Sequence, residues 1–94
     1  MTIRFYVDPE AGQPHIHRHG VSEQEVEDVL LRAGEDRRGH EGSRVAIGRT
    51  RAGRHLRVIY VPDEERGSVF VITAYELRGK ALLAYRRRRR RRRR

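Results

Sequence analysis

Apolar and polar residues alternate in four stretches of the chain and recur at helical spacing in one. Residues 2–7 (TIRFYV) alternate and are rich in β-formers, which predicts a first strand. Asp8-Pro9 stops it, because proline cannot donate to a sheet ladder. Asp8 can cap a short helical turn opened by Pro9, and Pro14 argues against a long helix. The segment up to His19 therefore reads as a broken helix or a loop. Ser22 opens the clearest helix. Ser22-Glu23-Gln24-Glu25 is a capping box, Val21 before it can staple onto Val26, and Val26, Val29 and Leu30 share one face. Acidic residues fill the early turns, Arg32 the last, and Gly34 ends the helix.

Residues 35–43 are polar and contain glycine, predicting a loop or a frayed edge strand. Residues 44–50 form the second strand, and Thr50-Arg51-Ala52-Gly53 a turn with glycine free to take positive φ. Residues 54–61 (RHLRVIYV) form the third strand. Leu56, Val58 and Tyr60 point to one side of it; His55, Arg57 and Ile59 point to the other. A turn at 62–67 leads to the fourth strand, 68–76, whose first half is apolar on both faces, as in a covered central strand. Gly79 breaks the chain, and residues 80–85 (KALLAY) begin a last helix that runs into arginine. Strands joined by short turns give an antiparallel meander. The expected architecture is α+β: a four-stranded antiparallel sheet covered by helices, in one domain over residues 1–85.

Size and charge narrow the reading. The 94 residues suffice for one compact domain with a modest core, so a functional site should be shallow. The absence of cysteine removes disulfides, thiolate nucleophiles and Cys-based metal sites. No apolar run approaches the ~20 residues of a membrane span. The N-terminal stretch lacks the apolar region of a signal peptide, so the expectation is a soluble, cytoplasmic protein. The formal charge is +9, from 22 basic and 13 acidic residues. Nine of the basic residues are the terminal run 86–94; without them 13 basic residues face 13 acidic ones, and the body is neutral. That run, isolated, should be disordered and should bind nucleic acid in a salt-dependent way without specificity. Arginine codon bias is the bland alternative.

Candidate chemistry lies in the basic groups. Arg49, Arg51, Arg54, His55 and Arg57 cluster on the second and third strands and their turn, where guanidiniums could bind phosphates in bidentate fashion. A merely solvated hairpin face is the competing reading. His15, His17 and His19 alternate; they would gather a metal only if the segment were extended, and the commoner fate is that of polar loop residues. His19 could also serve in acid–base work. Glu76, at the end of the fourth strand beside Tyr75, could act as a base or simply pair with an arginine.

The ordered motifs Phe5-Tyr6-Val7-Asp8-Pro9, Arg18-His19-Gly20-Val21-Ser22, Ile47-Gly48-Arg49-Thr50, Gly53-Arg54-His55-Leu56 and Val71-Ile72-Thr73-Ala74 resemble the BrnT family of toxins and related domains of unknown function. The resemblance spans most of residues 5–85. It implies a fold like that of RelE-type ribonucleases. It also implies a metal-independent endoribonuclease toxin, without cofactor, neutralised by a cognate antitoxin. By resemblance, His19 and Arg54 are site residues, as is the end of the Ile-Thr-Ala strand. There BrnT-like chains carry an arginine where this one has Tyr75, followed by Glu76. The expected catalytic set is His19, Arg54, His55, Arg57, Tyr75 and Glu76. The expected RNA-binding set is Arg18, Arg49, Arg51, Lys80, Arg86 and Arg87. Two rivals remain: a non-catalytic RNA- or ribosome-associated module, and a partner-binding protein whose first strand or 35–43 edge pairs with another chain.

Overall fold

The structure is a computed structural model that describes residues 2–92. β1 (Thr2–Phe5), β4 (Glu35–Arg38), β5 (Arg44–Arg49), β6 (His55–Asp63) and β7 (Ser68–Glu76) form one sheet in the order β1-β7-β6-β5-β4. β2 (Val7–Asp8) and β3 (Gln13–Pro14) make a separate two-stranded ribbon. A 3-10 helix (His15–His19) leads into α1 (Glu23–Leu31), and α2 (Gly79–Arg92) follows β7.

The α+β class holds, but the sheet has five strands and is mixed. β5, β6 and β7 are the expected antiparallel meander, and β4 adds antiparallel to β5. β1 instead runs parallel to β7, from Thr2 beside Ser68 to Phe5 beside Val71. The reason is the crossover: a chain that leaves β1, forms α1 and returns through β4 to β6 places β7 between β6 and β1. The fifth strand lies in the polar 35–43 segment. Its pairing depends on one tertiary network, in which Arg44 Nε bonds Asp36 Oδ1 at 2.8 Å and the Tyr60 hydroxyl donates to Asp36 Oδ2. Burial of Tyr60, together with its bond to the Asp36 carboxylate, pushes the phenol up to about 12.

α1 begins as the capping box dictates. Glu25 N–H bonds Ser22 Oγ at 3.1 Å, and Ser22 N–H bonds Glu25 Oε1 at 3.0 Å. Its buried Val26 and Val29 join Ile16, Val21, Leu56, Val58, Tyr60 and Val71 in the main core, on the sheet face that even-numbered β6 residues address. The helix ends at Leu31, with Arg32 as its cap, short of Gly34. Gly34 has another role: a Cβ there would come within 1.9 Å of the Tyr85 hydroxyl.

α2 covers part of the opposite face. Leu77 and Tyr85 are buried with Val45 and Ile47, and Ile59 and Leu82 pack against them. The arginine run, expected to be disordered, is helical as far as Arg92; Arg93 and Arg94 lie outside the described residues. The run is not isolated. Arg88 pairs with buried Glu35, its Nη2 at 2.9 Å from Oε1, and Arg89 Nη1 donates to the Gly34 carbonyl at 3.0 Å. The Arg88 hydrogen bond holds the Glu35 carboxyl below its ordinary 4.5.

A carboxyl depressed on folding stabilises the fold above its unfolded pKa, and that contribution is lost as the pH falls through the folded value. Glu35→Gln should therefore lower stability by about 2 kcal/mol at pH 7, the scale of hydrogen bonds to a charged group. The gap from the parent should close as the pH drops below 4.5. Thermal melts of both proteins from pH 7 to pH 3 check this.

Candidate functional site

The β5–β6 hairpin positions the basic residues. Thr50 N–H bonds the Arg54 carbonyl at 2.8 Å, Arg54 N–H bonds Thr50 Oγ1 at 3.1 Å, and Gly53 N–H bonds the Thr50 carbonyl at 2.9 Å. Gly53 is required by its φ of +95°, a conformation L side chains rarely adopt, and the end of the Arg49 side chain lies close over it, 3.2 Å from where a Cβ would stand. α1 holds the turn through Asp28, whose Oδ2 accepts the Arg51 N–H at 3.1 Å. That backbone bond, with one from Gln24, keeps the Asp28 carboxyl below its ordinary value.

Between this turn, the end of α1 and α2 lies a cleft of about 650 Å³. Six arginines line it: Arg32, Arg49, Arg51, Arg86, Arg89 and Arg90. Asp28 is the one acidic residue among the lining groups, and it is engaged with Arg51. His55 forms part of the wall, opposite Arg49 in the β5–β6 register and edge-on to the Tyr85 ring at 5.8 Å. Burial pushes the imidazole pKa down, and the Arg86 and Arg49 charges push it further. The ring is therefore neutral near pH 7, with a nitrogen lone pair free to take a proton. Burial raises the Tyr85 phenol, which stays neutral beside it.

Four of the expected residues thus meet here: Arg49, Arg51, His55 and Arg86. Arg87 and Lys80 are exposed on α2 and do not line the cleft. The remaining candidates lie toward the end of β7. Arg54 belongs to the α1 side of the sheet, where its Nη1 bonds the Gly20 carbonyl at 2.8 Å and both Glu25 oxygens at 3.1 Å. Its Nε is 3.4 Å from Glu76. Burial favours the protonated Glu25 carboxyl, but the Ser22 amide and Arg54 outweigh it and leave its pKa lowered. Glu76 is held low by Arg78, 2.9 Å away, and then by Arg54. Arg54 therefore acts as a clamp between the 3-10 helix, α1 and β7, its Nη1 and Nε engaged by Gly20, Glu25 and Glu76.

On the other sheet face, Arg57 lies opposite Tyr75 in register. Tyr75 meets His19 edge-on at 6.0 Å, and His19 meets His15 at 5.2 Å. Arg18 turns to Asp8, at 2.6 Å. The alternate histidines sit on a 3-10 helix, where residues two apart point in different directions. Among the described residues, no three His, Asp or Glu groups are placed to hold a metal ion.

Sequence reasoning missed Arg32, Arg89 and Arg90 as cleft residues. Arg32 had a signal in its position at the end of α1, opposite the basic hairpin. Arg89 and Arg90 were hidden in a run whose helical phase could not be set without the Arg88–Glu35 contact.

Among the described residues, no helix is long and apolar enough to cross a membrane. No curated protein and no solved structure matches the chain. A family model described as a domain of unknown function (DUF4258) matches residues 13–76, which takes in the 3-10 helix, α1, the hairpin and β7 up to Glu76. That span is most of the chain, and the protein belongs to the DUF4258 family.

Proposed function

We propose that this chain is a metal-independent endoribonuclease of the BrnT-like, RelE-fold toxin class, acting in the cytoplasm and neutralised by a cognate antitoxin. One observation carries the reading: a neutral histidine stands in a cleft lined by six arginines. RNA brings its own nucleophile, the 2′-hydroxyl, so the protein need only position a phosphate, move a proton and offset charge. Arg49 and Arg86 line the cleft with His55 and act on its charge, and their guanidinium forks suit the phosphate oxygens. His55 takes the 2′ proton. The 2′ oxygen attacks phosphorus and the P–O5′ bond breaks; the 5′ oxygen leaves from the opposite apex and takes its proton from water, while the imidazolium, made acidic by burial and by the Arg86 and Arg49 charges, returns its proton to solvent. Arg54 contributes by fixing the site's frame rather than by meeting the phosphate.

A second reading, an RNA- or ribosome-associated module that binds without cutting, is favoured by two observations. Arg54 is paired with the Glu25 and Glu76 carboxylates, and Tyr75 stands where BrnT-like chains have an arginine. The two readings share the cleft and part at cleavage.

Incubation of the purified chain with single-stranded RNA in EDTA separates them. Cleavage is expected, and His55→Ala should lower its rate between a hundredfold and ten-thousandfold, the usual range for acid–base catalysis. Salt-sensitive binding without cleavage would leave the second reading. The acid limb of the rate profile should lie below 6.5, because the His55 pKa is lowered and the base must be unprotonated. Arg86→Gln should move that limb upward. In a separate titration, the Arg86→Gln/Arg90→Gln pair should flatten the slope of log affinity against log salt by about 1.4, at ~0.7 per phosphate contact on a single strand.

A further inference from the structure

A second groove, of about 400 Å³, opens on the sheet face that also carries His55. Its floor is Ile59, Val61 and Ile72, and Arg57 and Tyr75 stand at one end. The turn between β4 and β5 forms its wall, with Glu41 held at φ +51°. A bulge in the β6–β7 pairing helps build it. Ile59 faces Thr73 and Tyr60 faces Val71, so Ile72 is left without a register partner. Arg57 is half-buried, and its Nε has no hydrogen-bond partner among the described residues. That nitrogen is closed off from solvent; the groove is met by the terminal nitrogens of the guanidinium, and Arg57 forms no ion pair among the described residues, which leaves its charge available to an acceptor in the groove. Along β6, Arg57 lies two residues from His55 on the same face, about 6.6 Å of strand away.

We infer that this groove holds a guanine base of the RNA bound in the arginine cleft, and so sets which nucleotide is recognised. The inference rests on the RNA reading of that cleft. An apolar floor ending in a tyrosine ring suits a flat aromatic ligand, and stacking on an aromatic side chain is the usual way a protein holds an unpaired base. The polar groups then choose among bases. Arg57 offers only donors, and Glu41 only acceptors. Guanine presents two adjacent acceptors, O6 and N7, on one edge and the N1–H and N2 amino donors on another. Arginine against O6 and N7 is the commonest base-specific pairing. Adenine places a donor where guanine has O6, and would leave Arg57 half satisfied.

The test uses 2′-O-methyl uridine 12-mers, which have no 2′-hydroxyl to react, carrying at one position guanine, adenine, 7-deazaguanine, inosine or no base. Affinity is read by fluorescence anisotropy. The parent should bind the guanine oligomer on the order of tenfold more tightly than the adenine, 7-deazaguanine or abasic ones. Inosine, lacking the amino group that Glu41 would accept from, should fall between. Arg57→Lys keeps the charge but removes the fork, and should erase the difference between guanine and 7-deazaguanine. Tyr75→Ala should weaken guanine binding and leave abasic binding unchanged, while Tyr75→Phe should restore it. Arg49→Ala, in the cleft, should weaken all five oligomers alike. Equal affinity of the parent for guanine, adenine and abasic oligomers overturns the groove assignment while leaving the RNA reading standing. A preference that survives Arg57→Lys overturns it too. Failure of the parent to bind any of the five removes both.

Discussion

The alternation of side chains along β6 decides which of the basic residues can act together. Arg54 keeps the parity of Leu56 and Val58, so it belongs to the face that α1 covers and meets Glu25 and Glu76 there. His55 and Arg57 take the opposite parity and address the face that α2 crosses only in part. Three consecutive-looking basic positions therefore have separate roles. One clamps the fold, one lies among arginines, and one keeps a buried Nε without a partner among the described residues. No slip of register could repair this, since moving β6 by one residue would carry Leu56 and Val58 out of the core.

The arginine cleft sets a second constraint. Six guanidiniums around one cleft repel each other, so the arrangement persists only if something else fixes α2 in place. Apolar burial does part of this, through Leu77, Leu82 and Tyr85 on Val45, Ile47 and Ile59. The rest comes from a carboxylate outside the cleft. Glu35, buried in β4, takes Arg88, and the neighbouring Gly34 carbonyl takes Arg89. The edge strand, which the sequence left open between a loop and a frayed edge strand, thus anchors the helix that supplies half of the cleft's arginines. Folding of β4 in turn depends on Asp36, Arg44 and Tyr60.

Local signals carried much of this fold. The capping box at Ser22, the glycine turn at Gly53 and the alternation from Arg44 to Glu76 each specify geometry within a few residues, and each appears in the structure. What was illegible depends on contacts distant in sequence. Pairing of β1 with β7 joins Thr2 to Ser68, and nothing in either segment distinguishes parallel from antiparallel. β4 reads as polar because it is stabilised by Tyr60, more than twenty residues later, rather than by its own propensity. Gly34 looks like a helix stop, yet its value is the room it leaves for Tyr85, fifty-one residues on. For the site, Arg49, Arg51, His55 and Arg86 could be named from type and spacing. Their separation from Arg54 and Glu76 follows from strand parity, which the sequence displays and which overrides proximity along the chain.

Tyr75 shows how the same logic bears on chemistry. An arginine at that position would face Arg57 across the β6–β7 pair and leave two like charges side by side, which is unfavourable unless an anion separates them. With tyrosine there, the repulsion is absent, and the end of β7 presents an aromatic surface beside a single guanidinium and His19. Positive charge is instead concentrated on the far side of His55, where α2 contributes Arg86, Arg89 and Arg90. The concentrated positive charge and the end of β7 are thus uncoupled in this chain. On the proposed RNA reading, the cleft would supply sequence-independent attraction, and the groove at Arg57 and Tyr75 would be where one base is told from another.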